Sequence, residues 1–293
     1  MVSVIIPNYN HASFLKQRID SILNQTYKDF ELIILDDCST DESKSVIENY
    51  RGNPKICHIV YNKKNSGTPF FQWQKGVALA KGEFIWIAES DDFAEPKFLE
   101  KTILQIENNN QIGLVYTDSN IIQNGVKIDN FKNRNLRYLK NVNWEKDHLV
   151  EGAKELEQHL LENCTIYNVS AVLFKEEALK TVIGDITNFI FAGDWVCYML
   201  IALNYDIFYI GETLSNYRSH ENNLTKNSGA NYSAMLERIK ARHFVKTKLS
   251  STNTKLSTKI KNINRIEGRS LIGGLIRGRV NLFTFVKTLK YYI

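Results

Sequence analysis

Glu83-Phe84-Ile85-Trp86-Ile87-Ala88-Glu89-Ser90-Asp91-Asp92 runs from an apolar, aromatic and β-branched stretch directly into three acids within four residues. A continuous apolar run of this length reads as a strand buried on both faces, and the carboxylates mark its end. The same layout occurs upstream, where Glu31-Leu32-Ile33-Ile34-Leu35 runs into Asp36-Asp37, and where Val2 to Ile6 stops at Pro7 before Asn8-Tyr9-Asn10. Helical signals separate these strands. Phe14, Leu15, Ile19, Ile22 and Leu23 recur at helical spacing, and Ser39-Thr40-Asp41-Glu42 reads as a capping box opening the next helix. Further out, Ile56 to Tyr61 predicts a strand and Trp73 to Lys81 a helix. Pro96 fits the first turn of a helix reaching about Asn108, and Gly113 to Thr117 predicts a fifth strand. Such alternation belongs to the α/β class: a Rossmann-like, mostly parallel central sheet flanked by helices. The pattern then changes. Ile121 to Ile128 around Asn124-Gly125 predicts a hairpin, and residues 130–150 a loop over the site. Ala171 to Phe174 and Asp206 to Ile210 predict further strands, and Trp195 to Leu203 a helix with Asp194 at its N-terminus.

Composition narrows the class. With 293 residues, 43% hydrophobic and 24% charged, the chain can bury a substantial core, which excludes general disorder. The four cysteines, Cys38, Cys57, Cys164 and Cys197, form no C-x-x-C pair. Reduced thiols in a cytoplasmic protein are therefore expected, with neither a structural zinc nor a disulfide framework. Met1 leads straight into Val-Ser-Val-Ile-Ile-Pro without a basic segment, and no apolar run approaches the ~20 residues of a membrane span. From Leu236 onward the chain carries 14 Lys and Arg against two acids, whereas the preceding part is net acidic. Such a basic tail is either a solvated helical face or a contact for an anionic membrane surface, where each basic residue contributes about 1 kcal/mol. Leu271, Ile272, Phe283, Phe285, Tyr291 and Tyr292, interleaved with Arg277, Arg279 and Lys287, suit the second reading, peripheral attachment, and leave the first open. Nucleic acid is not expected, because no recognition module accompanies the charge.

In open parallel sheets ligands bind beyond the carboxyl ends of the strands, where Asp36-Asp37 and Glu89 to Asp92 both fall. Acids after a strand often only cap the next helix, but Ser39 and Glu42 are read as filling that role after the second strand. Two carboxylates are then left to accept hydrogen bonds from a base edge or a ribose, with the Tyr9 ring beside them. Three acids as close as Glu89, Asp91 and Asp92 repel unless a cation compensates them. Hard oxygen ligands on a loop suit Mn²⁺ or Mg²⁺ bound together with substrate phosphates. Asp194 by itself reads as an ordinary helix N-cap.

Together, Val2-Ser-Val-Ile-Ile-Pro-Asn-Tyr-Asn10, Ser21-Ile-Leu-Asn-Gln25, Phe30 to Asp41, Asn65-Ser-Gly67, Ala80 to Asp92 and Gly193-Asp194 resemble the family 2 glycosyltransferases of the GT-A fold. The motifs follow in family order over residues 1 to about 225. The resemblance implies a transferase domain over residues 1–228 and leaves 229–293 as a basic helical C-terminal extension. It implies that Pro7, Tyr9, Asp36 and Asp37 hold the nucleotide. Glu89-Ser90-Asp91 would be the D-x-D motif, with Glu89 and Asp91 toward the donor. Asp91, Asp92 and His220, the last from Tyr217-Arg-Ser-His220, would hold Mn²⁺ or Mg²⁺, and Asp194 would be the catalytic base. Two departures stand out. Glu89 replaces the first Asp of D-x-D, and Gln72-Trp-Gln-Lys-Gly76 replaces a segment that carries an Arg in the family, with Lys75 as a substitute phosphate contact.

The expected activity is inverting transfer of a sugar from a nucleotide-sugar donor, UDP-linked, to a saccharide or lipid-linked saccharide acceptor in cell-surface polysaccharide biosynthesis. A nucleotidyltransferase would need a Gly-rich basic loop after the first strand, which Asn8 to Ser13 is not. A non-catalytic nucleotide- or glycan-binding module would not need Asp194. The oligomeric state, a homodimer included, is left open by the sequence.

Overall fold

The computed structural model describes residues 1–139, 142–220, 232–251 and 253–276. Its first half alternates as the apolar spacing predicts: β1 (Val2–Asn8), α1 (Ala12–Leu23), β2 (Phe30–Asp36), α2 (Ser43–Glu48), β3 (Ile56–Tyr61), α3 (Pro69–Leu79), β4 (Phe84–Ile87), the short β5 (Phe93–Ala94) and α4 (Phe98–Ile106). β1 pairs in parallel with β2 and β4, and β2 with β3, so their carboxyl ends share one edge. Register places Asn8 opposite Asp36. Every residue of β1 and β4 is buried, which is why these strands read as unbroken apolar runs rather than alternating ones.

The second half is mixed. β6 (Ile112–Gln123) and β7 (Val126–Asn130) form the expected hairpin, with Asn124 and Gly125 at φ 51° and 79°, both in the left-handed region that a type I′ turn requires. After α5 (Phe131–Tyr138), β8 (His148–Val150) and α6 (Gly152–Glu155) come β9 (Val172–Lys175), α7 (Glu176–Ile186), α8 (Gly193–Ile201) and β10 (Asp206–Arg218). β9 inserts antiparallel between β4 and β6, while β10 runs parallel to β6. Among the described residues ten strands thus form one sheet, its main path ordered β3-β2-β1-β4-β9-β6-β10-β5.

Two local expectations are corrected. Residues 130–150 are not a plain loop but contain α5 and β8, because Asn130 caps α5 by accepting the Asn133 N–H at 2.8 Å. The capping box at Ser39 to Glu42 does not form. Helix α2 begins later, and the acceptor at its start is Asp41, whose Oδ1 takes the Ser43 N–H at 3.0 Å. Ser39 instead receives the Asn10 N–H at 2.9 Å and ties the β1 end to the β2 end.

Beyond the transferase motifs lie α9 (Tyr232–Lys248) and α10 (Thr254–Ile276). The expected boundary at 228/229 falls outside the described residues, as does the aromatic part of the tail after 276. What is described of the extension is not an appendage. Ala241, Val245, Leu256 and Ile260 are 0–4% exposed and belong to the same core cluster as Trp195, Val196 and Cys197 of α8. Among the described residues no helix is long and apolar enough to cross a membrane.

Candidate active site

Parallel pairing brings the ends of β1, β2 and β4 together, and a cavity of about 520 Å³ opens there, a size suited to a small organic ligand. Two non-glycine residues turn the chain outward at its rim, Asn10 at φ 56° and Cys38 at φ 64°. Asn10 is held there by the Thr40 N–H, which donates to its Oδ1 at 2.7 Å. Pro7, Tyr9, Asp37, Glu89, Asp91, Asp92 and Asp194 all line the cavity. Asp36 does not. Its carboxylate accepts Asn8 Nδ2 at 2.8 Å and the Ser39 N–H at 2.9 Å, so it ties the strand ends together behind the wall rather than facing the cavity.

Asp37 is caged by donors: Asn62 Nδ2 at 2.6 Å, Gln72 Nε2 at 2.8 Å, Ser66 Oγ at 2.7 Å, and the Ser66 N–H at 3.0 Å. Gln72, in the segment that departs from the family pattern, thus serves the Asp37 carboxylate. Lys75, expected as a substitute phosphate contact, bonds Asn62 Oδ1 at 2.6 Å and is not on the cavity wall. Tyr9 stands at the mouth, 46% exposed, with its ring available for stacking.

The acids after β4 diverge in role. Asp91 Oδ2 meets His220 Nε2 at 3.0 Å, and His11, anchored through Nδ1 to Ser90 Oγ at 2.8 Å, completes a cluster whose ligand atoms lie within 4.8 Å of one another. Two imidazoles and a carboxylate at that spacing are a chemically suitable donor set for one divalent ion with bonds of ~2.0–2.2 Å, after small side-chain shifts. Burial of Asp91 alone would raise its pKa, but the His220 hydrogen bond and the neighbouring imidazoles bring it below the ordinary carboxylate value. Burial lowers His11, which favours the neutral, metal-binding imidazole. Asp92, expected as a ligand, is not in this cluster. Its Oδ1 accepts the Arg218 N–H at 2.9 Å, and burial together with the Asp91 charge pushes it up to about 7. Glu89 accepts Trp73 Nε1–H at 2.8 Å and is pushed up to about 8 by burial and by Asp91.

Behind these acids lies Arg18, 0% exposed, with its guanidinium 4.9 Å over the Trp86 ring. Burial depresses its pKa to about 10, against the pull of Asp92, Asp91 and Glu89, so it remains a cation at neutral pH. Sequence reasoning missed Arg18, His11 and Trp73. Only His11 carried a legible signal, directly after the Pro7 to Asn10 strand end.

Asp194 lies in the first turn of α8, its Oδ1 accepting the Trp195 N–H at 2.7 Å, and burial raises it to about 6. The preceding glycine is required by contact. A Cβ at Gly193 would meet the Phe70 ring at 2.5 Å, and Phe70 itself lines the cavity. Gly193→Ala is expected to destabilise the protein by about 1–3 kcal/mol, read by denaturant unfolding. Unchanged stability would mean that Phe70 is free to retreat.

The chain is 36% identical over 135 residues to the uncharacterized glycosyltransferase MJ1057 of Methanocaldococcus jannaschii, covering 45% of this chain and 46% of that protein. It is 31% identical over 132 residues to the putative teichuronic acid biosynthesis glycosyltransferase TuaG of Bacillus subtilis, covering 45% and 52%. The matches thus span about half the length of these relatives. The structure of S. aureus TarS 1-349 in complex with UDP-GlcNAc superposes with a TM-score of 0.68 at 19% identity, covering 99% of this chain and 80% of that one. At that identity the likeness establishes the fold, which is the GT-A arrangement. The model of Glycosyl transferase family 2 matches residues 3–179. Covering more than half the chain and every motif from β1 to β9, that match establishes that the protein belongs to glycosyl transferase family 2.

Proposed function

We propose that the protein is an inverting glycosyltransferase that moves a sugar from a UDP-sugar to a saccharide or lipid-linked saccharide acceptor in cell-surface polysaccharide biosynthesis. One observation carries the reading: Tyr9, Asp37, His11, Asp91 and Asp194 all line a single cavity, with His220 bonded to Asp91 beside it. Tyr9 stacks on the base and Asp37, held rigid by its donors, fixes the nucleoside. Glu89, whose Oε1 takes the Trp73 Nε1–H, faces the donor from the same wall. His11, Asp91 and His220 hold Mn²⁺ or Mg²⁺, which when bound neutralises the charge building on the departing diphosphate. Asp194 takes the proton of the acceptor hydroxyl while the oxygen attacks the anomeric carbon opposite the leaving group, inverting that centre. The putative biosynthetic role of TuaG and the UDP-GlcNAc bound by TarS support the donor and pathway class.

Among the described residues the cavity wall includes five carboxylates and neither Lys nor Arg. Nucleotide binding should therefore depend on the cation. Titration of the protein with UDP is expected to give a Kd at least tenfold lower with Mn²⁺ than without, about 1.4 kcal/mol or more. Absence of binding to UDP, GDP, dTDP and CDP in both conditions would instead identify a non-catalytic copy of the fold.

A further inference from the structure

The loop before α8 is fastened from outside the transferase motifs. Ile190, Phe191 and Ala192 each donate a backbone N–H to the carboxylate of Glu237 on α9, at 2.6, 2.5 and 2.9 Å. The Ala192 amide, at the N-cap of α8, has no intrahelical partner, and the two amides before it belong to the loop. Glu237 accepts all three from another helix, with the charge that a helix N-terminus favours. The rest of α9 secures its place. Lys240 Nζ donates to Asn188 O at 2.6 Å and lies 4.7 Å over the Phe189 ring, and Lys248 pairs with Asp185 at 2.7 Å. Buried Arg242 stacks 5.5 Å from the Trp195 ring and donates to Asn264 Oδ1 on α10 at 2.8 Å. Asp194 lies two residues beyond the three fastened amides, on the first turn that they begin.

We propose that Glu237 is a positioning residue, whose carboxylate fixes residues 190–192 and thereby aims Asp194 at the acceptor hydroxyl. The proposal rests on the reading of Asp194 as the base. Its consequence is that the basic extension is part of the catalytic apparatus rather than only a surface contact. Misplacement of a reacting group by about 1 Å costs roughly 10²-fold in rate, so a loosened loop should be visible in kcat while donor binding through Tyr9 and Asp37 is kept.

The test uses the full chain with Glu237→Gln and Glu237→Ala. Expected are faster hydrogen exchange at the amides of 190–192, a kcat lower by roughly 10²-fold and an unchanged UDP affinity in Mn²⁺. The Asp194 titration should also move below about 6, because Glu237 raises it, although less than burial does. Other groups that feel the Asp194 charge, Cys164, Cys197 and Tyr198, are left in place by these variants. Unchanged exchange, an unchanged rate, or a rate loss matched by equal losses of UDP affinity and of stability would each overturn the proposal. If the wild type turns over no nucleotide sugar, the transferase reading fails by itself, and exchange together with the Asp194 titration still decides whether Glu237 positions the loop.

Discussion

Asp194→Asn is expected to lower the transfer rate about 10²–10⁴-fold, the range for loss of a general base, while UDP binding in Mn²⁺ stays at its wild-type value. The same substitution should make the protein more stable at neutral pH. Burial raises Asp194 from its ordinary 3.8 to about 6, so the folded state disfavours its charge. For such a group the stabilising contribution is fully present below the unfolded pKa and is lost as pH rises through about 6. At pH 7 the wild type therefore carries a penalty of up to about 3 kcal/mol that Asn removes, and the gain should vanish as pH approaches 4. In the wild type, kcat should fall about tenfold per pH unit below about 6, as the base takes up its proton. Thermal unfolding at two pH values and a rate profile check both statements. Joint loss of transfer and of UDP binding would show instead that Asp194 is structural.

Removal of any one of His11, Asp91 or His220 is expected to weaken Mn²⁺ binding by at least about 10–100-fold, the range measured for partners that only orient a ligand. His11→Ala is the discriminating variant, because the sequence assigned the cation to Asp91, Asp92 and His220 without it. Two imidazoles also bias the site toward Mn²⁺ over Mg²⁺, which prefers oxygen ligands. At pH 7 Glu89, pushed up to about 8, holds its proton and Asp92, pushed up to about 7, is about half protonated; an adjacent cation expels both. Calorimetry of Mn²⁺ binding in buffers with different ionisation heats should record that release. A heat independent of buffer, or a His11→Ala affinity equal to wild type, would contradict this assignment.

The strand ends were legible because parallel strands buried on both faces write themselves as apolar runs. Asp37 and Asp91 could be found where those runs stop. What single residues do there was less legible, because adjacent side chains at a strand end or in a turn diverge. Asp36, the last residue of β2, turns to Asn8 and Asp37 to the cavity; in the turn past β4, Asp91 reaches His220 and Asp92 the Arg218 amide. Adjacent acids thus have one signature in sequence and two fates in space. Glu237 was illegible for another reason. It stands among lysines and arginines on a helix that reads as a solvated face, and its partners are backbone amides, which carry no residue identity.

Arg18 links the site to the way the chain folds. Among the described residues none of its three guanidinium nitrogens has a hydrogen-bond partner, and its compensation comes from Trp86 on β4 and from the acidic group of Glu89, Asp91 and Asp92, of which Asp91 carries the full charge. A guanidinium can be drawn out of water at tolerable cost only when such countercharges are already assembled around it. Docking of α1 and ordering of the acidic loop therefore depend on each other: an intermediate with either one alone leaves a buried charge unanswered. The acidic centre is not decoration added to a finished sheet but a participant in the cooperative transition that closes its first half.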